Sequence, residues 1–394
     1  MNVETPTPGR SRVDEMTLHA MFAFTLISVV GLTFSIAVSS IAMGVAIFLL
    51  YFLLVRKGSG VIPKTPLDTY FLCYALAELV STVFSVDPLA SAINMKRLLL
   101  ISFVYFVLMT VDSDFKVKAL LGFLLGITAL LSLFELFSLS SIGGHYMRVS
   151  LFQYYMTEGG IKMFVLLLAI PFVIHPATPR SARLYAICCT IPVLAGLILT
   201  QTRSSWLGFI AGILTVAILK NKKLALVLLG FIILFVLLAP ADFRTRAESI
   251  FDPMQRSNLS RIHMITTGWR MFLDRPVVGT GDIDLKKLYV TYITPIDEGE
   301  GGHLHNNVMM LLVTLGVVGF AATMAMFVKV FLVERECVRL ARDHWLFGSL
   351  ALGSLASYVG FHVNGLFEWN FGDHEIAVLL WCTVGMSLLS RKES

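Results

Sequence analysis

The chain has 394 residues, 56% of them hydrophobic and 14% charged, with a mean hydropathy of +0.79. A soluble globular core has no use for so much apolar side chain, so the composition excludes an ordinary water-soluble enzyme and points to an all-α integral membrane protein. The net charge of +5 reads as uneven loop charge rather than as a surface for nucleic acid.

Apolar runs separated by polar breaks give about twelve transmembrane helices. The first two share one run from Thr17 to Val55, split near Ser35 to Ser40. Its polar leader is long and mixed in charge and shows no clear cleavage site, so it reads as a retained span, not a signal peptide. Further spans are expected over 67–85, 98–111, 117–138, 160–175, 184–200, 205–219 and 224–239. A polar stretch over 240–304 follows, and the last spans are 305–333, 345–366 and 374–390. The chain thus divides into an N-terminal membrane region (1–239), an external loop (240–304) and a C-terminal membrane region (305–394). The five cysteines lie in or beside apolar runs without metal-site spacing and read as free thiols.

Alternate loops carry Arg56, Lys57 and Lys64; Lys116 and Lys118; Arg180 and Arg183; Lys220, Lys222 and Lys223; and Arg335, Arg339 and Arg342. The opposite loops hold little more than Lys96, Arg97, Arg148 and Arg203. The positive-inside rule therefore places both termini in the cytoplasm and the 240–304 segment outside. A polar connection of that length between membrane helices is usually functional.

Within it, Ile262, Ile265, Trp269 and Phe272 recur at helical spacing up to a stop at Asp274–Pro276, the pattern of an amphipathic helix on the membrane surface. Arg261 borders its apolar face, where it reads first as a snorkelling arginine that meets lipid headgroups. In "TQTRSSWLGF" (200–209), Arg203 precedes a helix that Ser204 and Ser205 can cap. A helix start with an arginine favours anions, although an interfacial anchor is the plainer reading. In "GGHLHNNVMMLLVTLGVVGF" (301–320), His305 stands at the outer start of a span. Gly316 and Gly319 lie on the face below it, where they would let another helix approach. A neutral imidazole so placed is a competent general base, and an interfacial histidine bonded to the loop is the competing reading.

His305, Asn306, Gly316 and Gly319, written H-N-x9-G-x-x-G, resemble the signature of bacterial O-antigen ligases, whose wider family includes O-antigen polymerases. The run from Arg261 through Trp269, Pro276, Gly279 and Gly281, the T-x-T-R stretch ending at Arg203, and "LFEWNFGDHE" (366–375) are similar to the same family. The resemblance covers roughly residues 195–385 and implies a GT-C-like, metal-independent, inverting glycosyltransferase without a cofactor, in a bacterial inner membrane. The implied donor is a glycan on undecaprenyl pyrophosphate and the implied acceptor is the lipid A core. Carried over, Arg203 and Arg261 bind pyrophosphate and His305 is the base. Asn306, His303, Arg97, Lys96 and Glu368 are secondary candidates.

Asp282-Ile283-Asp284 has the spacing of a divalent-metal motif but reads first as a solvated loop, and His303 with Glu298 and Glu300 reads as a flexible rim rather than a zinc site. Glu78, Glu135, Lys329 and His362 fall within spans and draw suspicion as intramembrane ionisable groups, with Glu135 and Lys329 also placed to snorkel near helix ends. An O-antigen polymerase is the close alternative to a ligase. A secondary transporter is a distant one, because the polar residues cluster at outer helix ends rather than at the midplane.

Overall fold

The computed structural model describes residues 11–141, 150–294 and 302–391, and every regular element among them is helical. The first membrane region comprises α1 (Arg12–Gly31), α2 (Ile36–Lys57), α3 (Asp68–Val83), α4 (Pro88–Asn94) continuing through a 3-10 turn into α5 (Ser102–Thr110), α6 (Asp114–Ser141), α7 (Tyr155–Ile174), α8 (Arg180–Leu199), α9 (Arg203–Leu219) and α10 (Lys223–Leu238). The polar segment folds as α11 (Ala241–Glu248), α12 (Arg256–Asp274) and the short α13 (Lys286–Tyr289). The chain closes with α14 (Asn307–Leu340), α15 (Trp345–Asn364) and α16 (His374–Leu389). Among the described residues, eight segments are long and apolar enough to cross a membrane, and α9, α10 and α16 are shorter apolar helices. With α3 these match the expected spans one for one. The first break falls at 32–35, because Ser35 caps α2 by accepting a hydrogen bond from Val38 N.

The core is built on α7 and α15, whose residues are mostly enclosed by protein. Small residues permit this. Gly208 and Gly212 of α9 face Gly360 and Ala356 of α15, and a Cβ on Gly208 would stand 2.7 Å from the Gly360 carbonyl oxygen. This small-x3-small pairing lets two backbones touch, where lipid tails compete with larger side chains for the same surface. α14 completes the core beside α15 and α3.

Lys162 of α7 bonds Glu135 of α6 at 2.5 Å and Glu158 of its own helix, with all three side chains buried. Glu135 is therefore an interior ion-pair partner and does not snorkel. Lys162, hidden within an apolar run, was the missing cation. At the opposite helix ends the basic loops converge: Lys220 Nζ donates to the Arg342 carbonyl at 3.0 Å, and Lys118 lies 5.4 Å from the Trp345 ring.

α14 is not continuous. Gly316 has φ +63° and ψ −173°, which splits the helix. The 276–281 loop fills the split: Val317 N donates to Pro276 O at 2.7 Å, and Thr280 N and Gly281 N donate to Val313 O and Thr314 O at 2.9 Å. The broken helix thus recovers its backbone partners from the loop, as buried peptide groups require. A Cβ on Gly316 would come 2.4 Å from Val277 backbone, and one on Gly279 (φ +73°) 2.4 Å from the Thr314 carbonyl oxygen. These glycines lock a loop into a helix break. The expectation that Gly316 and Gly319 admit a neighbouring helix is corrected, since what meets Gly316 is extended backbone and Gly319 faces Leu315 of its own helix.

Candidate active site

The lock at Gly316 fixes the start of α14, and α12 packs against that start. Met264, Thr267, Gly268 and Met271 form the buried face of α12, and Gly268 touches Leu304 and Met309. Ile262, Trp269 and Leu273 point outward, while Ile265 and Phe272 are only partly covered. The expected apolar stripe is therefore real but lies at the edge of the packed face.

His305 precedes α14 in a left-handed conformation (φ +45°). Asn306 caps the helix, its Oδ1 accepting from Met309 N and its Nδ2 donating to Leu366 O, both at 2.8 Å. Asn306 thus holds the histidine loop against the 365–373 loop and does not face a ligand through those atoms. Asn307 reinforces the clasp: its Nδ2 donates to Asn370 Oδ1 at 2.6 Å, Asn370 Nδ2 donates to Asn364 Oδ1 at 2.8 Å, and Asn364 Nδ2 donates to Ser205 Oγ at 3.1 Å. Ser204 and Ser205 lie inside α9, not ahead of it, and Thr202 at the cap position makes no side-chain cap. The expected capping is corrected: Ser205 joins the amide chain instead.

The clasp brings Glu368 under His305. His305 Nδ1 lies 2.9 and 3.0 Å from the two carboxylate oxygens, with Glu368 buried and the imidazole 22% exposed. An ionised carboxylate only accepts, so Nδ1–H donates and the lone pair of the neutral ring is assigned to Nε2, on the side away from Glu368. Burial pushes the Glu368 carboxyl up, but the hydrogen bond from His305, the charge that His305 and His303 carry when protonated, and the charge of Arg261 outweigh it and hold it below the ordinary range. His303 sits with its ring centroid 4.1 Å from that of His305 and its Nδ1 3.9 Å from Glu368. Burial, then the neighbouring His305, lowers its pKa and favours the neutral ring. The charge of Arg261 reaches both His303 and Glu368.

Arg203 is placed differently. It is buried at the start of α9, and its guanidinium donates to Ser249, Gln255, Ser257 and Asn258, reaching Ser257 Oγ and Asn258 Oδ1 at 2.6 Å. All four are neutral acceptors at or before the first turn of α12, so Arg203 pins the helix that carries Arg261 one turn further on. Gln201, the other non-glycine residue with positive φ among the described residues, is held in the same turn by Arg246 at 3.1 Å.

A second charged cluster lies across Trp369 and Phe371. Arg97 bonds both oxygens of Asp282 at 2.5 and 2.6 Å, Asp282 N takes Ser91 Oγ at 3.1 Å, and Glu78 lines the same small pocket. Asp282 is 6% exposed, so the expected solvated loop is wrong at this residue, while Asp284 is exposed and accepts from Lys286 N. The two carboxylates point to different partners, against a shared metal. Lys96 is exposed beside this cluster. Glu298, Glu300 and Arg148 lie outside the described residues.

Sequence reading missed Asp373 at the start of α16. It meets Thr157 Oγ1 at 3.4 Å, and burial followed by the charges of Glu368 and Glu375 raises its pKa to about 8. A short loop rich in acids was its only signal.

His303, His305 and Glu368 offer three possible metal ligands within 4.8 Å of one another. The charge of Arg261, which reaches His303 and Glu368, works against a cation there and in favour of an anion. An apolar groove of about 360 Å³ runs between α8, α9 and α10 and ends at Arg244 and Glu248, next to the Arg203–Ser249 contact.

Residues 188–324 match the family described as O-antigen ligase. No curated protein matches the chain. The matched region holds Arg203, Arg261, His305 and the Gly316 break, whereas Glu368, Asp373 and Arg97 lie outside it. Together with the all-helical polytopic fold around these residues, this match supports membership of the O-antigen ligase/polymerase family.

Proposed function

We propose that the chain is an O-antigen ligase that moves a finished glycan from undecaprenyl pyrophosphate to a hydroxyl of the lipid A core, on the periplasmic face of a bacterial inner membrane. The observation that carries this reading is the His305–Glu368 pair, within reach of the charge of Arg261. The acceptor hydroxyl attacks the anomeric carbon as its proton passes to His305 Nε2. The bond from that carbon to the diphosphate oxygen breaks, and the electron pair leaves with the diphosphate. Glu368 fixes the imidazole tautomer and offsets the charge that the ring gains. Arg261 meets the negative charge developing on the leaving group, where a preorganised cation in a low-dielectric site is most effective. Arg203 holds α12, and with it Arg261, in place. Direct displacement inverts the anomeric centre, and no step calls on a metal or a cofactor. The apolar groove beside Arg203 supports a polyprenyl-linked donor, since an isoprenoid tail needs such a wall.

A deletion strain tests the reading against its nearest rival. Loss of a ligase leaves long polymerised glycan on the lipid carrier and core without O-antigen. Core decorated with single repeats would instead identify a polymerase.

A further inference from the structure

The end of the core remote from His305 holds a cavity of about 550 Å³ between the closing turns of α7, α9 and α14 and the opening turn of α15. It is lined by four cations, Lys220 at the end of α9 and Arg335, Arg339 and Arg342 at the end of α14, far apart in sequence. Its one carboxylate, Glu336, lies 3.3 Å from Arg391 Nη1, so that charge is offset from outside the cavity. Its lining also includes the apolar side chains of Ile174, Leu219, Leu332 and Leu352.

A bias of Lys and Arg toward one side of a membrane accounts for basic loops. It does not account for three arginines and a lysine round one hollow, where like charges repel unless an anion shares it. Arg335 and Arg339 stand one helical turn apart and Arg342 follows just past the end of α14, so all three face one region. Lys220 is tethered by its bond to the Arg342 carbonyl, which keeps the rim together. Exposed guanidinium forks over an apolar wall match a phosphate diester joined to acyl chains better than a free anion, which would leave the wall bare.

We propose that this cavity binds an anionic phospholipid of the leaflet on the side of the basic loops, with its phosphate on Arg335 and Arg339 and its acyl chains along Leu332 and Leu352. The site is separate from glycan transfer and does not rest on the reading of His305. Full-length protein purified in mild detergent, examined by native mass spectrometry after exposure to cardiolipin, phosphatidylglycerol or phosphatidylcholine, tests it. Wild type is expected to retain one anionic lipid at least about tenfold better than phosphatidylcholine, and the R335Q/R339Q variant to lose that preference. The R335K/R339K variant, which keeps the charge, should retain an intermediate preference. Millimolar inorganic phosphate should not displace the lipid. Equal retention of charged and zwitterionic lipid, an unchanged preference in R335Q/R339Q, or displacement by inorganic phosphate would each overturn the proposal, the last by identifying a free-anion site.

Discussion

The two ends of the α7–α9–α14–α15 core use the same residue types in opposite ways. At the His305 end, amides and cations are engaged by neighbours: four side chains link α14 to α9 through Asn307, Asn370, Asn364 and Ser205, and Arg203 is clasped by the start of α12. At the other end, Arg335, Arg339 and Arg342 are exposed around a hollow. Chemistry needs groups held before the substrate arrives, whereas lipid binding tolerates long side chains that settle around a headgroup. Within the rigid end the same contrast recurs between two arginines. Arg203 is spent on structure in the described conformation, and Arg261 sits where its charge reaches Glu368.

This contrast can be broken most sharply at the imidazole. His305→Ala should lower transfer by roughly 10²–10⁴-fold with little change in melting temperature, and Glu368→Gln should follow it in direction, since an amide carries no charge to offset that of the protonated ring and its NH2 can hold the other tautomer. Next in size come the arginines. Arg261→Ala should cost transfer about 10²–10³-fold at nearly unchanged stability. Arg203→Ala should lower both activity and melting temperature because α12 loses its clasp. Equal stability effects from the two variants would erase the distinction drawn between them.

Gly316→Ala should destabilise the protein by about 1–3 kcal/mol, through a left-handed backbone and a clash with the 277–278 peptide. Thermal denaturation reads this directly, and an unperturbed melting temperature would mean that the loop does not occupy the helix break.

A smaller effect is expected from Asp373. Its carboxyl ionises at 3.8 ordinarily and at about 8 in the fold, so the folded state binds the extra proton between those values. Stability from this group is full below pH 4 and is lost as pH rises through 8. Asp373→Asn should therefore flatten the fall in melting temperature between about pH 4 and 8. The smallest expected effect is that of a chelator, which should leave transfer unchanged. Loss with EDTA, restored by a divalent ion, would assign His303, His305 and Glu368 to a metal instead.

The fold was legible because bilayer thickness imposes an apolar run on each helix, and eleven such runs, the first long enough for two helices, stand in the sequence. Long apolar runs also concealed what matters inside them. Lys162 draws no attention between glycines and leucines until α6 brings Glu135 to it. His305 stood out at a helix border and Arg261 at the edge of an amphipathic face, while Glu368 came only with the resemblance, which joined all three. Their contact was not legible, because 63 residues separate His305 from Glu368 and the asparagine clasp that unites them has no sequence period. Gly316 was visible as a glycine, but helical spacing gave it the wrong purpose, since only the incoming 276–281 loop reveals a backbone break.

The central claim is that one imidazole, oriented by Glu368 within reach of the charge of Arg261, takes the acceptor proton as diphosphate leaves. Single-turnover transfer by purified protein, with separately prepared lipid-diphosphate glycan and lipid A core, measures that step. The account predicts that His305→Ala binds donor as wild type does yet transfers almost none of it. Transfer by that variant at the wild-type rate would contradict the account.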